Sequence, residues 1–275
     1  MLRLESESDD GWWLITHPDH AHLAGVFASH WGNDRFPAPH PRENVLHGIH
    51  VHDDGWAVRD AHPSITRQGK PSAFSNELVG KYSAFEEIDL ADYLAVRESA
   101  VEQVEKRDPY AALLVSMHTY NLLTERADRS TIAPDQLPLL DAFLERQLLR
   151  QERLRAAIRS NPNLSPRETS DEAILNNFRL LQATDNLSLL SCIAYMQPST
   201  LLHPFPTTEG SLTTITVEPL GPRRFRLHPY PFDTPEFTCT VPARHVPGKL
   251  FSSHDELAAR FAAAPIESLA IAICA

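Results

Sequence analysis

The chain carries 14 histidines, ten of them within its first 118 residues. Imidazoles hold metals and move protons near neutral pH, so what matters first is which of them face inward. On a helix, apolar side chains recurring at three and four residues mark the buried face. Between 17 and 31 that face reads Ala24, Phe27 and Trp31, and a step of four back from Ala24 reaches His20. In the next helical stretch Val45, Leu46 and Ile49 lead on to His52 and Asp53. Further along, Tyr110, Leu114 and Met117 lead to His118. Ile174, Phe178 and Leu181 lead to Asp185, after which the stripe resumes with Leu189 and Cys192.

A buried carboxylate is costly unless it is paired or binds a metal. Three inward imidazoles and two inward carboxylates are reconciled by one divalent cation held between helices. The expected ligands are His20, His52, Asp53, His118 and Asp185, and the donor set suits Zn, Fe, Mn or Ni. A cation there would acidify a bound water and make hydrolysis the expected chemistry. Asp53 or Asp54 would orient that water, and His118 would stabilise charge or protonate the leaving oxygen. Each residue alone has a plainer reading, a core histidine bonded to backbone or an aspartate paired with an arginine; the joint pattern carries the expectation. His47, His50 and Asp54 fall on the other side of their helix, and His17 and His22 leave the stripe of His20. The second His-Asp pair, His254-Asp255, reads as a helix start after a Ser253 cap.

Other chemistries lack their residues. The ten glycines make no GxGxxG, and each Gly-Lys pair is followed by Pro71, Tyr82 or Leu250, the wrong residue for a phosphate loop. GxSxG and HExxH are absent. The three cysteines (Cys192, Cys239, Cys274) are far apart, which excludes a CxxC zinc site and a disulfide framework and points to a reducing cytoplasm. With 25 basic against 36 acidic residues the formal charge is −11, unsuited to binding nucleic acid. No apolar run is long enough for a membrane span, and the acidic start MLRLESESDD is no secretory signal.

The elements that must position these groups are mostly helical. Leu2–Glu5 and Trp12–Thr16 read as a hairpin around an Asp9-Asp10-Gly11 turn. Thr16 and Pro18 open a helix to Trp31, and a short helix runs from Arg42 to Gly55. Residues 60–85 read as a long loop, a candidate lid, followed by a helix over 89–106. Asp108-Pro109 opens a strongly apolar helix. Asp135 is expected to cap a long helix to Ser160, and another follows over 168–196. Beyond residue 200 come β-like runs at 212–217, 223–227 and 237–241, a short helix at 254–263 and a strand at 269–273. The N-terminal hairpin is expected to join them, since two strands alone are marginal.

The segments WLITHPDHAHLAG (13–25), WGNDRF (31–36), HDDGW (52–56), DPYAALLVSMHT (108–119), DNLSLLSC (185–192) and HPYPF (228–232) resemble the DUF3891 family of uncharacterised bacterial proteins. The order of His, His-Asp, His and Asp is also similar to the HD-domain superfamily of metal-dependent phosphohydrolases. That resemblance implies a helical bundle with His20 as first ligand, His52-Asp53 as the doublet and Asp185 as last ligand. It also implies that His118 contacts a second metal or a substrate phosphate.

The expected fold is therefore mainly α, an HD-domain-like helical bundle with a small β-rich element formed by the N-terminal hairpin and the C-terminal strands. The chain reads as a single domain, 1–275, with a helical metal-binding body over 17–198 and a β-rich appendage over 1–16 and 205–275. The expected activity is metal-dependent hydrolysis of a small phosphorylated molecule. A di-metal oxygenase on the same scaffold and a non-enzymatic binding module with a buried polar network are the alternatives. The expected partner is a small-molecule substrate, with neither nucleic acid nor membrane, in the cytoplasm; the oligomeric state, a homodimer included, stays open.

Overall fold

The computed structural model of the chain describes residues 1–275 apart from Asp9 and Glu87. Among the described residues nine strands and eight α-helices follow one another, beginning with β1 (Leu2–Glu5), β2 (Gly11–Ile15), α1 (His17–His30), α2 (Arg42–Val51), α3 (Ala57–Asp60), α4 (Leu90–Glu105), α5 (Pro109–Glu125), α6 (Leu137–Arg159) and α7 (Asp171–Cys192). The tail supplies β3 (Ser199–Thr200), β4 (Phe205–Pro206), β5 (Leu212–Thr213), β6 (Thr216–Gly221), β7 (Arg224–His228), β8 (Glu236–Pro247), α8 (His254–Ala263) and β9 (Ile266–Cys274).

The expectation of a mainly α, HD-like bundle is overturned. Helix accounts for 46% and strand for 20% of the chain, and seven strands form one mixed sheet, so the fold is α with β rather than a bundle with a small appendage. The sheet order is β1-β2-β8-β9-β7-β6-β3, with β7 and β9 parallel and the other neighbours antiparallel. The extra strand lies where the sequence pattern is weakest. β8 is twelve residues long and continues through Pro242 and Pro247, which normally argue against a strand. Pro242 is tolerated because β2 pairs only with residues 244–247. At 242 the strand has a ladder neighbour, β9, on one side alone, so the missing N–H is less costly than in a strand paired on both sides.

The hairpin does join the tail, through Gly11–Leu14 against Arg244–Pro247 of β8. Its connection is longer than an Asp-Gly turn. Residues 6–10 link the strands, and Ser6 Oγ accepts from the backbone N–H groups of Asp10 and Gly11. Asp9 of the expected turn lies outside the described residues.

Most helix starts follow from capping. Thr16, Asp108 and Ser170 each accept a backbone N–H of the first turn of α1, α5 and α7. The long α6 departs from expectation: it begins at Leu137 after Gln136, with no side-chain cap, so Asp135 does not cap it. α2 stops at Val51, and Asp54–Trp56 form a separate 3-10 turn before α3. The 60–85 loop is tied down at several places, among them the Gly69 carbonyl, which accepts from the Phe251 N–H. Phe74 exchanges backbone bonds with Met1 and Arg3, Ser83 N–H donates to Arg126, and a 3-10 turn occupies Asn76–Leu78.

One apolar core spans both layers. It includes Phe27 of α1, Val45 and Ile49 of α2, Leu113 and Leu114 of α5 and Leu181 of α7. The sheet adds Val217, Phe225, Leu227, Val241, Ile271 and Ile273. α1 is sandwiched between the sheet and the other helices, and His20 sits in its N-terminal half.

Candidate metal centre

Two close approaches between helices set the geometry. A Cβ on Gly48 would lie 3.1 Å from Ala111 Cα, so α2 crosses α5 at short range. On α1, the His50 ring of α2 fills the space where a Cβ on Gly25 would stand. With α7 packed against α1, α2 and α5, His20 of α1, His52 just past the end of α2, His118 of α5 and Asp185 of α7 come together.

His20, His52 and Asp185 each offer one ligating atom, and these atoms all lie within 4.8 Å of one another. His52 Nε2 is 3.3 Å from Asp185 Oδ1, and His20 Nδ1 is 3.7 Å from the same oxygen. Asp53 closes the other side. Its Oδ2 is 3.3 Å from His20 Nε2 and 3.9 Å from His52 Nε2. His118 stands behind His52, its ring edge-on at 5.2 Å, with Nε2 3.9 Å from Asp185 Oδ2. All five residues are buried; Asp185 is the most exposed, at 7%.

His52 shows how the sequence fixes a ligand tautomer. As the C-cap of α2 it turns Nδ1 back to the carbonyl of Ile49 at 2.8 Å, satisfying one of the free carbonyls at the helix end. A metal would take the neutral ring, with its proton on Nδ1 and the lone pair on Nε2, which faces Asp185 Oδ1 at 3.3 Å and makes no hydrogen bond. His20 is oriented in the same way by Ser188 Oγ, 3.1 Å from its Nδ1.

The electrostatics are those of a concentrated charge cluster. Burial works against the charged form of His52, but Asp53 and Asp185 outweigh it and push its pKa up to about 9. Burial takes His118 the other way, down to about 4, which leaves it neutral at physiological pH. Burial alone would raise Asp53 and Asp185; the Arg97 guanidinium holds Asp53 well below the usual carboxylate range, and His52 holds Asp185 below it.

Asp54 is not brought into the cluster. Its side chain is 43% exposed and faces His22 Nε2 at 3.5 Å. His22 and His50 line a surface cavity of about 380 Å³ with Asp19, Leu23, Val26, Thr240 and Pro242. The His254-Asp255 pair opens α8 behind its Ser253 cap.

Two participants escape the sequence reading. Arg97 meets Asp53 Oδ1 at 2.5 Å and is only 6% exposed. The signal was available, since Leu90, Leu94, Arg97, Val101 and Val104 form the buried stripe of α4, with a cation at its middle. Next to the centre, His17 stacks on Trp56 with centroids 4.6 Å apart, and its backbone N–H donates to the buried Asp60 at 2.5 Å. Asp60 falls in a four-residue helix, too short for a stripe to be read.

The arrangement can hold a divalent cation with two imidazoles and a carboxylate, a donor set suited to Zn, Fe, Mn or Ni, with a second carboxylate in reach. Among the described residues no helix is long and apolar enough to cross a membrane. The family model described as "Protein of unknown function (DUF3891)" matches residues 3–248. No curated protein matches the chain, and no solved structure does.

Proposed function

The chain belongs to the DUF3891 family, whose description assigns no activity, and from the centre itself we propose a metal-dependent hydrolase acting on a small phosphorylated molecule. His20, His52 and Asp185 would hold the cation, with Asp53 Oδ2 beside them. A bound divalent cation supplies an acidified water and polarises a phosphoryl oxygen. Asp53 would accept a hydrogen bond from that water through Oδ2, the oxygen that Arg97 leaves free. His118, neutral and with Nε2 3.9 Å from Asp185 Oδ2, would hydrogen-bond a reacting oxygen. Asp54, solvated and paired with His22, has no part in this arrangement.

One observation carries the reading. His52 Nε2 is a buried nitrogen without a hydrogen bond, 3.3 Å from the Asp185 carboxylate and beside the His20 ring; a buried polar atom left so costs stability, and a cation that displaces its proton would satisfy it. The test is the metal content of the purified protein, followed by His52→Ala and Asp185→Ala. The wild type is expected to carry one metal and hydrolyse a generic phosphate monoester, and each variant to lose both properties. Full metal occupancy in either variant removes that residue from the ligand set.

The low exposure of all five residues favours a second reading, a non-enzymatic module whose inward polar groups form a hydrogen-bond network. A metal-free wild type that folds unchanged as His52→Ala would establish it.

A further inference from the structure

A permanent cation stands against the proposed cation site. The Arg97 guanidinium is gripped by Asp53 Oδ1 at 2.5 Å and the Tyr93 hydroxyl at 3.3 Å. It also stacks on the rings of Trp56 and Tyr93 at 5.1 and 5.4 Å. Held on these sides and buried, it is fixed beside the centre, and a guanidinium does not lose its proton in a protein. Such a charge repels an incoming metal ion, so a site evolved for cation affinity alone would be better without it.

The charge balance shows what it achieves. Asp53 and Asp185 together carry two negative charges, and imidazoles that ligate a metal are neutral. A divalent cation alone would bring these two carboxylates to zero; with Arg97 the sum is one net positive charge, the neighbouring Asp60 being paired with the Met1 ammonium at 3.3 Å, in a buried setting. A net charge in such a setting attracts its counter-ion far more strongly than it would in water.

We propose that Arg97 sets the charge of this centre, giving up metal affinity so that the loaded site attracts an anion of the phosphate or phosphate-ester class. This rests on the metal-centre reading above and gives it a substrate charge. Arg97 also takes one oxygen of Asp53, so that only Oδ2 faces His20 and His52.

The test uses the full chain loaded with Co²⁺. Metal affinity is measured by competition with a chelator, and inorganic phosphate binding by the change in the cobalt visible spectrum. In Arg97→Gln, cobalt is expected to bind about tenfold or more tighter and phosphate about tenfold or more weaker. Arg97→Lys, which keeps the charge, should stay near the wild type in both. The double variant Asp53→Asn/Arg97→Gln restores the net charge without leaving a buried carboxylate unpaired, and should regain most of the phosphate affinity. Opposite shifts in the two affinities are the mark of a charge effect. A fall in both together, or a double variant that stays blind to phosphate, overturns the role of Arg97 and leaves the metal centre standing. A wild type that takes up no cobalt overturns the metal centre and this assignment with it.

Discussion

His52 and His118 are neighbouring imidazoles, equally buried, that meet opposite fates. His52 lies between Asp53 and Asp185 and is driven towards the charged form; His118 has only the far oxygen of Asp185, at 3.9 Å, and burial keeps it neutral. Their roles should differ accordingly. The three ligating atoms that lie within reach of a common cation come from His20, His52 and Asp185, without His118. His118→Ala is therefore expected to keep its metal, at near-stoichiometric content by elemental analysis, while losing hydrolytic turnover by about a hundredfold or more. Loss of the metal would place His118 in the ligand set instead. At this scale the sequence was highly legible. A polar residue in an apolar helical stripe is conspicuous, and the same test applied to α4 exposes Arg97. Asp54 is the counter-example: α2 ends at Val51, His52 keeps helical angles, Asp53 leaves them, and Asp54 starts a separate 3-10 turn whose direction α2 does not set.

At the scale of elements, the start of α1 decides how His20 is presented. Thr16 caps the helix, and Asp60 of α3 accepts the His17 N–H that the first turn leaves free. Asp60 is 4% exposed, so replacing it strands that donor and the His17 ring. Asp60→Ala is expected to cost about 2–4 kcal/mol in urea unfolding at neutral pH. Burial by itself would raise the Asp60 pKa, but His17 outweighs it and the net displacement is downward. A carboxylate held lower in the folded state than in the unfolded chain stabilises fully above its ordinary pKa, about 3.9. That contribution is lost as the pH falls below it. The gap between wild type and Asp60→Ala should be wide at about pH 7 and narrow towards about pH 3. A gap independent of pH would mean that Asp60 acts by packing. Elements opened by Thr16 and Asp108 could be read from their caps. The length of β8 could not, because its prolines are harmless only on account of which strands flank them, a fact of tertiary pairing.

At the scale of the whole molecule, the sheet is what turns separate helical stripes into a site. α1 is buried between it and α7, and Phe27 shares one core with Val241, Ile271 and Ile273 of the two longest strands. The overturned bundle expectation has its cause here: helical patterning identifies which faces are inward but not what they pack upon. The candidate ligands, by contrast, are spread from residue 20 to residue 185 and have no local structure of their own, so they can converge only when this core forms. Unfolding the sheet should therefore release the metal in the same step. Ile271 is fully buried at the centre of β9, and Ile271→Ala is expected to lower stability by about 2–5 kcal/mol. In the metal-loaded protein, circular dichroism and release of cobalt into a colorimetric chelator should follow one denaturation curve, shifted by the same amount in the variant. Free metal at about a thousand times its dissociation constant should return about 4 kcal/mol to both proteins. If cobalt leaves at a denaturant concentration where the strand signal is intact, the helices form the centre without the sheet, and the mutation should then leave metal release untouched.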